Sequence, residues 1–217
     1  MKVFFAPGCG IRGGERRTEV FMRVIAGKAR RILLDTPEGL ATRPTTDRIK
    51  ETLFNMINRE LPDAVFLDLF AGSGAIGIEA LSRGCRRAVF VEQDKKAVSC
   101  IEANLKRTGL SADAEVFKAD VAGALSRLAA KGEAFDIIFM DPPYRMGFAR
   151  EVLAQLAGSA VCGEKTLVVF EEALETDISF VEECGFRTVK EKCYKTNKHV
   201  FVRKNVPAGE CGGNEEI

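Results

Sequence analysis

The sequence predicts a doubly wound α/β fold with a mostly parallel sheet. From residue 65 onward, short apolar runs alternate with segments whose apolar residues recur at helical spacing. The runs are apolar at consecutive positions, which is typical of parallel strands that are buried on both faces. Two strand-like segments near the end, 189–194 and 199–202, lie close enough to form a hairpin that adds antiparallel pairing at one edge.

A small extension is predicted ahead of the sheet. Two strand-like runs, 23–26 and 31–34, flank a turn and predict a basic β-hairpin. The segment 43–47, Arg-Pro-Thr-Thr-Asp, offers turn and N-cap chemistry before a helix whose apolar residues run from Ile49 to Leu61. The extension is therefore expected to consist of a hairpin and one helix.

The alternating region then predicts the strands and helices of the sheet domain. We expect strands at residues 65–70, 88–91, 114–118, 135–140 and 166–170. We expect helices at residues 76–83, 95–108, 121–131, 147–157 and 177–184. Gly109 and Gly185 directly follow two of these helices, and glycine commonly ends a helix at that position.

Length and composition fit one compact domain with short appendages. The chain has 217 residues, and 46% of them are hydrophobic, which suffices for a sizeable core. Residues 1–21 are glycine-containing without an apolar period, so we expect a disordered leader there. The extension covers residues 22–63 and the sheet domain 64–204, and we expect residues 205–217 to be a disordered tail.

Several classes of protein are excluded by composition. No apolar run approaches about 18 residues, and the apolar start is too short for a secretory signal. Seven cysteines include no C-x-x-C pair, which favours reduced thiols in the cytoplasm over a zinc ribbon or a disulfide framework. The single histidine, His199, argues against a His-based metal site, and we expect no metal. We interpret His199 as an ordinary residue near a strand start, with catalysis as the remote alternative.

The charges are segregated along the chain although the formal net charge is only +1. Residues 1–60 carry 12 Lys/Arg and 7 Asp/Glu, and residues 187–204 carry 7 and 1. Between them, residues 61–186 carry 13 basic and 20 acidic residues. The chain therefore has basic ends and an acidic centre.

A glycine turn follows the first strand of the sheet. The stretch Asp68-Leu69-Phe70-Ala71-Gly72-Ser73-Gly74-Ala75-Ile76-Gly77 contains G-x-G-x-x-G between a strand and a helix. Glu92 ends the next strand, where nucleotide-binding sheets place a carboxylate that accepts from ribose hydroxyls. The glycine motif alone is weak evidence, but this context predicts a nucleoside ligand rather than a tight turn without one.

Acidic residues at strand ends help to choose the nucleoside. A dinucleotide such as NAD places its pyrophosphate at the helix N-terminus, whereas S-adenosylmethionine has no phosphate and carries a cationic sulfonium and amino group. Asp68, just before the glycine turn, suits that cationic end. Asp120, after the third strand, suits the adenine amino group. The acids favour S-adenosylmethionine.

A second motif, Asp141-Pro142-Pro143-Tyr144, follows the strand at 135–140, at the carboxyl edge where ligands bind in such sheets. An exocyclic amino group is a poor nucleophile because its lone pair is delocalised into the base. Asp141 and the Pro142 carbonyl are expected to accept its two N–H bonds and so direct the lone pair toward a methyl sulfonium. Tyr144 is expected to stack on the base.

This motif has two other interpretations. Pro-Pro can simply terminate a strand. Methylation at carbon 5 of a pyrimidine needs a nucleophilic cysteine, and no Pro-Cys occupies this position. Methylation of an amino group is therefore favoured.

With these motifs in order, the sequence resembles class I S-adenosylmethionine-dependent methyltransferases that methylate amino groups. More narrowly, it resembles the bacterial RsmD family, the 16S ribosomal RNA (guanine-N2)-methyltransferases. The stretches that carry the resemblance are 22–27, 43–51, 68–74, 90–92 and 141–144. The family pattern begins at Met22, so residues 1–21, a leader or an early start assignment, lie outside it.

The resemblance implies a seven-stranded, Rossmann-like methyltransferase sheet with S-adenosylmethionine as methyl donor and a guanine of small-subunit rRNA, or of its assembling particle, as acceptor. The cofactor-binding residues implied are Asp68, Phe70, Ala71, Gly72, Ser73, Gly74, Glu92, Asp120 and Val121. The catalytic residues implied are Asp141, Pro142, Pro143 and Tyr144.

The basic ends predict contacts to RNA phosphates. The candidate residues are Arg23, Lys28, Arg30, Arg31, Arg43, Lys195 and Lys198. Solvated strand edges guarded by lysines are the alternative, especially for the C-terminal cluster. A DNA or RNA adenine-N6 methyltransferase, an NAD-dependent oxidoreductase and a nucleic-acid-binding module with a vestigial cofactor site remain as alternative functions.

Overall fold

The computed structural model describes residues 22–37, 47–142 and 147–205. Its strands are β1 (Met22–Arg23), β2 (Leu33–Leu34), β3 (Val65–Asp68), β4 (Arg87–Glu92), β5 (Ala114–Lys118), β6 (Phe135–Met140), β7 (Cys162–Ala173), β8 (Phe186–Cys193) and β9 (Asn197–Lys204). Its helices are α1 (Asp47–Ile57), α2 (Ala75–Ser82), α3 (Lys95–Thr108), α4 (Val121–Ala130), α5 (Phe148–Ala157) and α6 (Phe180–Glu183).

Seven strands form the main sheet in the order β5-β4-β3-β6-β7-β9-β8. The first five are mutually parallel, and β9 pairs antiparallel with both β7 and β8. The chain moves outward from β3 to β5 and then crosses back to β6, so the strand order reverses between β3 and β6. Ligands of doubly wound sheets bind at the carboxyl ends of the strands beside such a reversal. The predicted doubly wound fold is confirmed.

Each face of the sheet has its own hydrophobic core. The core on one face contains residues of α1, α2 and α3 together with Val24, Ala29 and Leu34 of the extension. The core on the opposite face contains residues of α4, α5 and α6. The extension therefore packs on the face that carries the helix after the glycine turn.

A buried carboxylate, Glu79 of α2, holds the extension against the sheet domain. It accepts hydrogen bonds from the backbone N–H groups of Ile25 (2.7 Å) and Ala26 (3.0 Å). The side chains of Lys50 and Arg83 lie 3.4 and 2.7 Å from it. Lys50 also donates to the carbonyl of Arg23 at 2.6 Å. A buried charge is tolerated when it is paired and hydrogen-bonded in this way.

Some element bounds differ from those predicted by the sequence. The N-terminal hairpin pairs only two residues on each strand, because the chain turns early and Arg31 adopts a left-handed φ of 72°. The last helix is shorter than predicted, because Asp177 accepts hydrogen bonds from Ser179 and forms a turn there. β7 is longer at both ends than the predicted 166–170.

Candidate functional site

Three carboxyl groups lie together at the carboxyl edge of the sheet. Asp68 ends β3, Asp141 directly follows β6, and Glu171 lies in β7 one position after the Met140–Phe170 pair. The core residues two positions before them are Phe66, Phe139 and Val169, which all belong to the core under the extension. Because side chains alternate along a strand, the three carboxyl groups lie on this same face.

Asp68 is a buried acceptor with an unused oxygen. The residue is only 1% exposed, and its Oδ2 accepts a hydrogen bond from the backbone N–H of Gly77 at 3.2 Å. Oδ1 has no hydrogen-bond partner within the part of the chain that the structure describes. Burial, with a smaller contribution from the charge of Glu92, raises the pKa of Asp68 to about 7. Such a group suits a cationic ligand, and the amino group of S-adenosylmethionine fits it.

The glycine turn leaves open space beside a second carboxylate. Gly72 and Gly74 have φ angles of 55° and 79°, which other residues rarely adopt. A Cβ on Gly72 would meet no atom within 4 Å, so this side of the turn is accessible to a ligand. Glu92 accepts hydrogen bonds from the N–H groups of Gly72 and Asp94, both at 2.9 Å. The two bonds fix the carboxylate and leave acceptor capacity for ribose hydroxyls.

The other predicted cofactor residues surround this turn. The Ala71 N–H donates to the Val91 carbonyl at 3.0 Å, and the half-buried Phe70 ring contacts Phe148 edge-on, with centroids 5.6 Å apart. Asp120 is exposed and caps α4, where its Oδ1 accepts from the Gly123 N–H at 2.7 Å. The cap uses this one oxygen of the carboxylate, and α4 begins directly after it at Val121.

Asp141 is half-buried among the other acids. Burial raises its pKa to about 8, followed by the charges of Glu171, Asp68 and Glu172. Pro142 beside it is buried. Pro143 and Tyr144, the remaining predicted residues of this motif, lie outside the described residues, as does Arg43 of the predicted RNA-binding set.

A buried polar network on β7 and β9 was not predicted from the sequence. Glu171 Oε1 accepts a hydrogen bond from Asn197 at 2.7 Å, and Glu171 Oε2 lies 3.3 Å from His199 Nε2. His199 is fully buried, and its Nδ1 lies 3.1 Å from the Tyr194 hydroxyl. The sequence does carry a signal for Glu171: like Asp68 and Asp141, it is an acid that directly follows a run of apolar residues.

Asn104 of α3 joins the glycine turn to the extension. Its Nδ2 donates to the carbonyls of Ser73 (2.9 Å) and Asp35 (3.0 Å), and its Oδ1 accepts from the Asp35 N–H at 2.9 Å. It is fully buried. Nothing in the sequence pattern distinguishes this residue from any polar residue of an amphipathic helix.

We expect Asn104→Ala to lower the free energy of unfolding by about 1–2 kcal/mol, because it leaves buried backbone groups unpaired. We also expect weaker S-adenosylmethionine binding, since the Ser73 carbonyl loses its anchor. Denaturant unfolding and titration calorimetry measure the two effects. Glu102→Ala, at an exposed position of the same helix, is the control. If stability falls while cofactor affinity is unchanged, Asn104 does not position the turn.

The predicted RNA-binding residues differ in how freely they are exposed. Arg30 and Arg31 are exposed at the turn of the hairpin. Arg23 and Lys28 are also exposed but form ion pairs with Asp47 (2.7 Å) and Asp113 (3.3 Å).

The two C-terminal candidates, Lys195 and Lys198, are placed differently. Lys195 is exposed beside the β8–β9 turn. Lys198 is only 7% exposed, and its ammonium group donates to the Thr176 carbonyl at 2.9 Å and lies 3.7 Å from Glu191. The prediction that Lys198 contacts RNA is therefore not compatible with the structure, because its charge is already bound inside the protein.

Two further properties concern the described part of the chain alone. Within residues 22–37, 47–142 and 147–205, no helix has the length and apolar character needed to cross a membrane. Over the same ranges, no three or more His, Cys, Asp or Glu side chains are grouped so that they could hold a metal ion.

Comparison with known proteins gives consistent matches. A family model described as conserved hypothetical protein 95 matches residues 22–203. Ribosomal RNA small subunit methyltransferase D of Escherichia coli strain K12 is 38% identical over 160 residues, which cover 74% of this chain and 79% of that protein. The protein of the same name from Haemophilus influenzae is 33% identical over 174 residues, 79% of this chain and 88% of its own length.

Solved structures show the same likeness. The hypothetical protein TTHA0928 of Thermus thermophilus superposes with a TM-score of 0.73 at 33% sequence identity. The match covers 84% of this chain and 99% of that chain.

Proposed function

This chain belongs to the RsmD family of S-adenosylmethionine-dependent rRNA methyltransferases, and we propose that it methylates the exocyclic N2 amino group of a guanine in 16S rRNA. The observation that best supports this function is that two acids, Asp68 and Asp141, lie at the ends of adjacent strands on the same face of the sheet. Asp68 offers the cofactor a buried oxygen that has no hydrogen-bond partner among the described residues, and Asp141 offers a carboxylate directly after the adjacent strand.

S-adenosylmethionine is the methyl donor, and it supplies an electrophilic methyl group on a positively charged sulfur. In our proposal, Asp68 Oδ1 binds its amino group, and Glu92 accepts from its ribose hydroxyls. Gly72 and Gly74 allow the backbone to approach it closely. Asp120 is proposed to accept from the adenine amino group with the oxygen that does not cap α4.

The target base is proposed to bind at the residues that follow β6. The Asp141 carboxylate and the Pro142 carbonyl accept the two N–H bonds of the amino group and so hold its lone pair toward the methyl group. We propose that Tyr144 stacks on the base and fixes its plane. Pro143 stays a prediction from the sequence.

The test of this function is identification of the methylated nucleoside. The full chain is incubated with S-adenosylmethionine and small-subunit RNA, or small subunits, from a strain that lacks the gene. The nucleosides are then analysed by mass spectrometry. We expect N2-methylguanosine, and comparison of naked RNA with assembled subunits identifies the preferred partner. N6-methyladenosine as the product would overturn the guanine assignment.

We propose that the hairpin turn of the extension contacts RNA phosphates. Arg30 and Arg31 are exposed there, and the extension packs on the face of the sheet where the three acids lie, with the hairpin turn beside the C-terminal end of α2. Arg23, Lys28 and Lys195 are proposed as additional contacts, and Arg43 stays a prediction from the sequence.

Charge reversal at Arg30 and Arg31 is expected to weaken RNA binding roughly tenfold and to lower its salt dependence, because fewer phosphate contacts release fewer counterions. Cofactor affinity should not change. Filter binding at several salt concentrations measures the first quantity and calorimetry the second. Arg127→Glu, on α4 and so on the opposite face, is the control. Equal loss of RNA and cofactor affinity would contradict the assignment.

A further inference from the structure

The row of acids at the sheet edge continues beyond Asp141 to Glu171 of β7, and His199 of β9 lies beside it. Met140 and Phe170 are paired neighbours in parallel strands, so Asp141 and Glu171 follow at equivalent positions of adjacent strands. Adjacent strands lie about 4.8 Å apart. Glu171 is in turn the antiparallel partner of His199. Asp141, Glu171 and His199 therefore lie side by side across three neighbouring strands.

Glu171 is held rigidly by two polar side chains of β9. Asn197 donates to one of its carboxylate oxygens at 2.7 Å, and His199 lies 3.3 Å from the other. His199 is wedged between the Phe139 and Tyr194 rings, with centroids 6.1 and 5.1 Å away. Glu171 itself is only 6% exposed. Burying a carboxylate carries a desolvation penalty that lowers the stability of the fold, so we expect Glu171 to have a function.

Among the residues that the structure describes, the charged and titratable groups around Asp141 are predominantly acidic. The charges that act on it are those of Asp68 at the end of β3 and of Glu171 and Glu172 in β7. Glu92, at the end of β4, acts in turn on Asp68. The nearby cation of β9, Lys198, is bound to the Thr176 carbonyl and Glu191. Asp141 therefore lies in a field that favours proton uptake.

We propose that Glu171, clamped by Asn197 and His199, is a positioning residue that makes Asp141 the acceptor of the proton released by the methylated amino group. The inference rests on the proposed function of Asp141. As the amino lone pair forms the new nitrogen–carbon bond, the carbon–sulfur bond of the donor breaks and its electron pair stays on sulfur. The nitrogen is then positively charged and releases one proton. Asp141 accepts it and passes it to water.

The order of events follows from electrostatics. The free site holds several acids in a poorly solvated place, and burial, followed by repulsion from Glu171, raises the pKa of Asp141 to about 8. A carboxylate with such a pKa is a stronger base than an ordinary aspartate, which suits removal of a proton near neutral pH. The sulfonium and the methylated nitrogen are cations, so they favour the ionised form of Asp141 until the proton is transferred.

The proposal can be tested without RNA by the pH dependence of thermal unfolding of the cofactor-free full chain. An aspartate whose folded pKa is raised binds more protons in the folded than in the unfolded state, so stability falls as pH rises toward that pKa. We expect the wild-type Tm to fall between about pH 4 and pH 8 and Glu171→Gln to reduce this fall. The glutamine oxygen can still accept from Asn197, and its amide N–H can donate to His199 Nε2 when the ring is protonated at Nδ1, so the fold is preserved.

A double-mutant cycle separates the effect on Asp141 from the titration of Glu171 itself. In an Asp141→Asn background, Glu171→Gln is expected to lose its pH-dependent part. Glu175→Gln, at an exposed position after β7, is the matched control and should not change the slope. If the pH-dependent effect of Glu171→Gln is absent, or persists unchanged in the Asp141→Asn background, the proposal is wrong.

A second measurement uses methyl transfer. The rising limb of the pH–rate profile should move to lower pH by about one pH unit in Glu171→Gln, because Asp141 ionises more easily. A structural role alone would lower the rate at every pH without moving the limb.

Failure of the proposed function can be told apart from failure of this inference. In that case the wild type would form no N2-methylguanosine, while the double-mutant cycle of thermal unfolding would still report the coupling of Asp141 and Glu171.

Discussion

Replacing Asp141 by Ala is expected to lower kcat for methyl transfer by about 10²- to 10³-fold, the usual cost of losing one preorganised hydrogen-bonding group at the reacting atom. The amino nitrogen would lose the acceptor that directs its lone pair and also the base that takes its proton. Initial rates with saturating cofactor and small-subunit RNA measure the effect.

Cofactor binding and folding should survive this substitution. Asp141 is half-buried and its pKa is raised, so its removal relieves repulsion in the cofactor-free protein. Asp141→Asn is the informative companion, because the amide keeps one acceptor oxygen but loses the negative charge. We expect its rate to lie between those of the wild type and Asp141→Ala. Full activity of Asp141→Ala would remove this residue from the mechanism.

Replacing Asp68 by Asn is expected to weaken S-adenosylmethionine binding about 10- to 100-fold, since a hydrogen bond to a charged group contributes about 1.5–3 kcal/mol. The neutral amide cannot complement the cationic amino group of the cofactor. Titration calorimetry of the full chain gives the Kd. Asp63→Asn, an exposed residue just before the amino end of β3, is the matched control and should leave the Kd unchanged.

The same substitution should stabilise the cofactor-free protein at neutral and alkaline pH. Because burial raises the pKa of Asp68 to about 7, the folded state binds more protons than the unfolded state between about pH 4 and pH 7. Wild-type stability is therefore lost as pH rises through this window, and Asn does not titrate. A Tm for Asp68→Asn that is below the wild-type Tm at pH 8, together with an unchanged Kd, would contradict the cofactor assignment.

Much of this site could be predicted from the sequence because its chemistry depends on local signals. A glycine turn needs left-handed backbone conformations, so Gly72 and Gly74 are visible as residues. Asp68 and Asp141 each follow an uninterrupted apolar run, and the carboxyl ends of parallel strands meet at one edge. These signals lie within a few residues of the groups that they identify, and they do not require knowledge of the tertiary packing.

The rest depends on contacts between residues that are distant in the chain. The basic neighbours of Lys198 suggest that it is a surface cation. In the structure, β9 pairs antiparallel with β7, and the Lys198 side chain is buried. His199 is the single histidine, and its place opposite Glu171 follows only from the register of the two strands. Asn104 likewise acquires its role from the docked extension.

The most direct test of the account is a crystal structure of the full chain with S-adenosylhomocysteine, which keeps the amino group and ribose of the donor. We predict that the amino nitrogen lies within hydrogen-bonding distance of Asp68 Oδ1, that the ribose hydroxyls contact Glu92, and that the sulfur faces Asp141. An amino group bound away from Asp68, with its Oδ1 still unpartnered, would contradict the central claim that one face of the sheet edge holds both the donor and the target amino group.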